Sequence, residues 1–152
     1  MEISIVQPDE GKELTAFGDT IQFKLWGEHS KNTVTVGLVK VLPGGGPPLH
    51  VHHREEEIYI IESGDIEVNV NGEWKKAPVG SVVFLPRDIP HQFRNAGTTT
   101  SRHWVIATPS GFEDFFQDAA DIFAKGGPPD VDAIMKIAAR HEVEVIGPPP
   151  GR

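Results

Sequence analysis

Three of the seven histidines fall within four residues, at His50, His52 and His53, and Glu55, Glu56 and Glu57 follow at once. A strand turns alternate side chains to opposite faces, so His50 and His52 share one face while Leu49 and Val51 take the other. Glu57 has the wrong parity to join the two histidines on one unbroken strand. The polar run His53-Arg54-Glu55-Glu56 supplies the turn or bulge that resets the register. Glu57, Tyr59 and Ile61 then form one inward set on the next strand. His53 points away by the same parity, to the surface or to a supporting role. Glu55 and Glu56 read as a solvated acidic turn, with Glu56 a weaker alternative to Glu57. Two imidazoles and a carboxylate converging among apolar residues suit Fe, Ni, Mn, Co, Cu or Zn.

A second stretch, Gly80 to Asn95, completes the set. Val82 to Leu85 reads as a short buried strand, Pro86-Arg87-Asp88 as a turn, and His91 opens the next strand as a fourth ligand candidate. A single histidine in such a place is more often a satisfied core residue. His50, His52, Glu57 and His91 together favour one divalent metal, since clustered His and Glu are the expected ligands. Four protein ligands leave two positions open on an octahedral ion. Val39, Val41, Ile61, Val83, Leu85 and Phe93 would wall the site and suit a small, partly apolar organic molecule.

These residues resemble the cupin motifs. The first is Gly, five residues, His-x-His, four residues, Glu, six residues, Gly, matched by Gly44, His50, His52, Glu57 and Gly64. The second is matched by Gly80, Pro86, His91 and Asn95, with Asp88 where cupins usually carry Gly. Asp tolerates a positive φ better than most residues, so the turn can survive. The resemblance implies an all-β fold, a cupin (double-stranded β-helix, jelly-roll) barrel of two packed antiparallel sheets. Glu56 remains open as a ligand because some cupins use the shorter spacing. A cupin followed by Ser-Gly-Phe-Glu, two helices and a Pro-rich tail resembles the quercetin 2,3-dioxygenase-like single-domain cupins. That resemblance implies a metal-dependent dioxygenase acting on a flavonol- or diketone-like molecule, with Glu57 as the local base. Tyr59 is either a donor beside Glu57 or barrel lining. Metal-dependent isomerase or lyase chemistry, and a non-catalytic small-ligand-binding cupin, are the alternatives.

Composition bounds the rest. The chain has 152 residues, one ordinary domain, with 38% hydrophobic and 24% charged residues. It lacks cysteine, which excludes disulfides and thiolate ligands and fits a reducing cytoplasm. A net charge of -8 repels polyanions, so no nucleic acid partner is expected. The start shows no signal peptide, and no stretch could span a membrane. A cytoplasmic location is the expectation.

The positioning elements follow from periodicity. Ile3, Ile5 and Ile21 to Trp26 read as short strands, and His29 as an exposed loop residue. Residues 33–42 form a strand of β-branched residues whose two faces are both apolar, as are Ile58 and Ile60. A covered outer face, and hence a homodimer, is the expectation, with the N-terminal strands or the C-terminal helices as the alternative cover. Asn71-Gly72 marks a type I′ hairpin, and 102–108 the last barrel strand. The barrel is assigned to 1–109 and helices with a tail packed on it to 110–152. Ser110 to Glu113 reads as a capping box opening a helix with an aromatic stripe at Phe112, Phe115, Phe116 and Phe123. Asp130 caps a second helix through Ala139, with His141 in its last turn. The roles of His103 and His141, and whether the helices close the barrel, stay open at this level.

Overall fold

The computed structural model describes residues 2–151. Its framework is a six-stranded antiparallel sheet in the order β1 (Lys12–Ala16), β2 (Asp19–Leu25), β3 (Thr35–Val41), β10 (Ser101–Thr108), β5 (Glu56–Ser63) and β8 (Val82–Leu85). Facing it are β7 (Glu73–Ala77), β6 (Ile66–Val70) and β9 (Gln92–Asn95), and the pair β4 (His50–His52) with β11 (Val143–Val145). A bridge between His50 and His91 joins these two groups into one second layer. The two layers form the cupin barrel expected from the motifs, with a C-terminal helical extension: α2 (Phe112–Phe123) and α3 (Val131–Arg140). A single-turn helix, α1 (Gly27–Ser30), also interrupts the barrel's early strands. Among the described residues no helix is long and apolar enough to cross a membrane.

Register sets the depth of each inward side chain. Glu57 lies opposite Ala107 and Leu85. One inward step on, Tyr59 meets Val105, which meets Gly37 and then Phe23. The next step aligns Ile61, His103, Val39 and Ile21, and the last aligns Ser101, Val41 and Asp19. These side chains are buried, so period-two alternation fills the barrel in rungs.

Local chemistry explains the turns. Asn71 (φ 53) and Gly72 (φ 87) both adopt positive φ, as a type I′ turn between β6 and β7 requires. Asp88 sits at φ 66 in place of the usual glycine. The leading segment differs from expectation: Ile3 and Ile5 are exposed and unpaired, and the first strand is instead the polar Lys12–Ala16. Only Leu14 and Ala16 turn inward, against Glu13 and Thr15 outside, so two apolar residues carry its alternation and the sequence hides it. The Lys24 ammonium ties the leading segment down by donating to the carbonyls of Gln7 and Pro8 at 2.9 and 2.8 Å.

The helices fill the seam between the two edge strands β1 and β11. α2 packs on β1, α3 packs on β11, and the helices pack on each other. Asp130 caps α3, accepting from Ala133 N at 3.0 Å. α2 starts otherwise than the capping-box reading expects. Its N-cap is Gly111 at φ 132, with no side-chain cap, and Ser110 is buried. Glu113 keeps its half of the motif, accepting from Gly111 N at 2.9 Å. The same carboxylate accepts from Gly27 N at 2.7 Å and from the Thr35 hydroxyl, so it pins α2 to the barrel. Glu113→Ala should therefore leave partly buried donors unpaired and lower stability by about 2 kcal/mol or more in urea unfolding. A loss under about 0.5 kcal/mol, the scale of a surface change, would show that the seam does not depend on it.

Candidate metal centre

The turn His53–Glu55 resets the register as parity requires. β4 ends at His52, β5 begins at Glu56, and Glu57 enters the same interior as His50 and His52. The second motif supplies His91, and its turn is clamped by Asp88 N donating to His52 O at 2.8 Å. β11, absent from the sequence reading, seals the other side of β4, with Val143 opposite His52 and Val145 opposite His50. Gly46 lies so close to the Phe93 carbonyl that any Cβ there would collide, which brings the glycine-rich loop against the site.

His50, His52, Glu57 and His91 each offer one ligand atom within 4.8 Å of the others, and His52, Glu57 and His91 are buried. Glu57 Oε2 lies 2.8 Å from His91 Nε2 and 3.6 Å from His52 Nε2. Each imidazole is oriented from behind. Nδ1 of His50 donates to the Pro48 carbonyl at 2.7 Å, and Nδ1 of His91 to the Ile89 carbonyl at 3.1 Å. Nδ1 of His52 donates to Glu55 Oε2 at 3.3 Å. All three Nε2 atoms are thereby left to face the cluster. His52 Nε2 is buried without a hydrogen-bond partner, an arrangement that a cation would satisfy. The donor set therefore fits a divalent transition metal.

Electrostatics agree with the geometry. Burial alone would raise the Glu57 carboxyl, but His52 and the hydrogen bond from His91 hold it down at about 2. Burial, with His91 and His52 adding, pushes His50 well below 6.5. Burial also opposes the charged form of His52, yet Glu57 and Glu55 outweigh it and raise that imidazole.

Glu55 departs from the sequence reading. It is 2% exposed, and its carboxylate orients His52 from outside the cluster, whereas a solvated turn was expected. Glu56 does lie at the surface, where it pairs with Arg87 at 3.2 Å, away from the ligands. His53 is exposed as parity predicts, held by Asp88 at 2.7 Å and Glu144 at 3.0 Å. His141 ties α3 to α2 through Asp118 at 2.7 Å. His29 is exposed against the Trp26 ring. Tyr59 is buried with its ring edge-on to Phe93 and 4.7 Å from the His103 ring. Burial, then the Glu57 and Asp19 carboxyls, push its phenol well above 10.

One cavity of about 60 Å³ reaches from the cluster into the barrel. His50, His52 and Glu57 line one part, and Phe93, Phe112, Phe115 and Phe116 supply aromatic walls. Phe112 sits 5.8 Å from the His52 ring, so α2 closes the cavity beside the cluster.

Residues 37–107 match the family model described as a cupin domain. The chain is 30% identical over 67 residues to the protein SchB of Streptomyces halstedii, covering 44% of this chain and 49% of that one. It is 34% identical over 68 residues to the polyketide synthase CurC of Streptomyces cyaneus, 44% of each chain. The chain thus spans about half the length of these curated relatives. A Thermotoga maritima structure described as a predicted oxalate decarboxylase superposes with TM-score 0.64 at 23% identity, over 70% of this chain and 99% of that one. The polyketide cyclase RemF of Streptomyces resistomycificus superposes with TM-score 0.62 at 22% identity, over 72% and 81%. At that identity the two structures share the cupin fold with this chain.

Two outcomes test the centre. Glu55→Gln should weaken metal affinity roughly 10–100-fold, as loss of an orienting partner does, while Glu56→Gln changes it little; equal losses would refute the assignment of Glu55. Because His52 holds its proton to higher pH than an ordinary imidazole, metal binding should release protons and weaken as pH falls. Calorimetry in buffers of different ionisation enthalpy measures that release, and a value of zero would contradict it.

Proposed function

We propose that this cupin-fold chain is a metal-dependent enzyme acting on a small, uncharged organic molecule with paired oxygens, an enol, 1,3-diketone or flavonol. The observation that carries this reading is the set of three imidazoles, each fixed through Nδ1, facing an ionised Glu57 at one end of an aromatic-walled cavity. When bound, a divalent metal supplies a Lewis-acid centre for paired oxygens and, with a redox-active ion, for dioxygen.

The chain's own residues do the rest. The apolar walls exclude water and favour a flat, weakly polar guest. The cavity is smaller than the roughly 300 Å³ of common ligand pockets, so a ring-sized guest must displace Phe112 or Phe116 on α2. Glu57 is the carboxylate nearest the reacting end. Held at about 2 by its imidazoles, it accepts a substrate proton only as it moves away from them. Tyr59, kept neutral, presents a wall and a hydroxyl one inward step beyond Glu57.

Two reaction types fit this site. Dioxygenation follows from the resemblance to quercetin dioxygenase-like cupins. Oxygen-independent enolisation, as in ring closure, isomerisation or bond cleavage, is favoured by the likeness to proteins described as a polyketide synthase and a polyketide cyclase, since polyketides carry alternating carbonyls. Oxygen uptake and substrate loss, followed together, separate the two. Protein loaded with Fe(II), Ni(II), Mn(II), Co(II) or Zn(II) should consume a 1,3-diketone or flavonol with at least one metal. His91→Ala should lose more than the roughly 10–100-fold attached to an outer partner. Turnover with oxygen uptake establishes dioxygenation, turnover without it the Lewis-acid route, and tight binding without turnover a ligand-binding module.

The outer sheet face supports a homodimer. Register groups Ile58, Ile60, Val82 and Phe84 with Trp104 and Ile106 on that face, and β8 is an edge strand. Val82 is 67% and Phe84 58% exposed, an apolar patch uncommon on a monomer. Light scattering should return two chains' mass, and Phe84→Glu should return one; a wild-type monomer refutes the dimer.

A further inference from the structure

The far end of the cavity carries polar groups that the metal centre does not use. His103, on β10, is 0% exposed and lines the cavity, and neither ring nitrogen has a hydrogen-bond partner. Asp19, on β2, is 4% exposed, also lines the cavity, and its Oδ1 is likewise buried and unpartnered. An unpaired buried polar group is unfavourable by about 1–3 kcal/mol. Both groups line the same cavity, where a guest oxygen would give a partner to one His103 ring nitrogen or to the Asp19 carboxyl.

Their depth follows from register. His103 aligns with Ile61, two inward steps from Glu57, or about 13 Å along β5 between Cα atoms. Asp19 aligns with Val41, one step deeper than the Val39 beside His103. Between these groups and the His/Glu cluster lie the rings of Tyr59 and Phe93, each edge-on or tilted against His103 with centroids 4.7 Å apart. The cavity is thus polar at both ends and aromatic between.

We infer that Asp19 and His103 form a second recognition point, which takes an uncharged hydroxyl or carbonyl oxygen at the distal end of the molecule whose paired oxygens face His50, His52, Glu57 and His91. This rests on the reading of a chelating guest given above. The charge state of the two groups agrees. Burial raises the Asp19 carboxyl to about 8 and lowers His103 to about 4, so both are neutral near pH 7. A neutral acid and a neutral imidazole offer donors and acceptors to a hydroxyl, and no net charge for a distal carboxylate or phosphate. The guest class is a linear or planar molecule with a chelating end, an aromatic or apolar middle, and a neutral oxygen at the far end.

Two molecules of one shape test it: benzoylacetone, a 1,3-diketone without a distal oxygen, and its 4′-hydroxy derivative. Calorimetry on the Zn(II)-loaded protein should favour the hydroxylated compound by about tenfold or more, the worth of a hydrogen bond that fills a waiting buried partner. His103→Leu and Asp19→Ala should each bring the ratio toward one, while Asp19→Asn, which stays neutral and hydrogen-bonding, should keep most of it. Equal affinity of the wild type for both compounds overturns the second recognition point alone. Binding of neither overturns the chelating-guest reading, and this one with it. Ligand-free His103→Leu should melt higher than wild type, because two unpaired buried nitrogens are gone; a large drop would make His103 a structural residue and refute its role toward a guest.

Discussion

Glu57 carries an ionised carboxyl into the barrel at 2% exposure, where an uncompensated charge is strongly unfavourable. Three imidazoles compensate it, and each must present Nε2 rather than Nδ1. That requirement reaches outward. Pro48 and Ile89 donate no charge but fix two rings through their carbonyls, and Glu55 fixes the third. The Pro48 and Ile89 loops are held in turn by the His50–His91 bridge and by the turn at Asp88, whose N–H is spent on His52 O. β11 and His53, paired to Glu144 and Asp88, tie the C-terminal strand to the same turn. Removing the carboxylate's partners would thus disturb backbone that lies well outside the cluster.

Much of this was legible in the sequence, because the motif residues are fixed by rules that act locally. Parity placed His50 and His52 together and His53 outside, and the polar run before Glu57 announced the register change. Asn71-Gly72 and Asp88 declared turns through their tolerance of positive φ. What stayed hidden depends on distant contacts. Glu55 looks like its neighbour Glu56, and only the fold decides which carboxylate meets His52 and which meets Arg87. β11 is too short for period-two alternation to stand out, and it becomes a strand because β4 has a free edge. Ser110 and Glu113 match a capping box, yet Glu113 is drawn to Gly27 and Thr35, 86 and 78 residues away in sequence, and the cap geometry yields. Asp19 is hardest of all: a lone aspartate at a strand start reads as exposed, and only the barrel's closure buries it.

The helices matter to chemistry as much as to stability. A barrel of two open layers leaves edges at β1 and β11, and an edge beside a polar cluster would admit water. α2 brings Phe112, Phe115 and Phe116 to that seam, so the aromatic stripe packs the seam and lines the cavity at once. Phe17 at the β1–β2 turn extends that packing, stacking at 6.2 Å on Phe115 and edge-on at 5.0 Å to Phe123. Any motion that admits a guest beside His52 would therefore be a motion of α2.

A metal held by His and Glu offers the same Lewis acidity to many molecules, so on this fold the walls must choose among them. Solved structures with the cupin fold include ones described as a predicted oxalate decarboxylase, a polyketide cyclase and a sugar phosphate isomerase. The walls here suit the uncharged guest proposed above better than that last class of substrate. A phosphate ester needs cationic or multiple N–H donors, and the described cavity lining contains neither Lys nor Arg. Aromatic and aliphatic side chains make up its walls, and its far end carries groups that burial keeps neutral. A charged group at the far end of this cavity would meet only neutral partners there. An uncharged, oxygen-bearing, largely planar molecule, the guest proposed above, would leave the fewest of these groups unpaired.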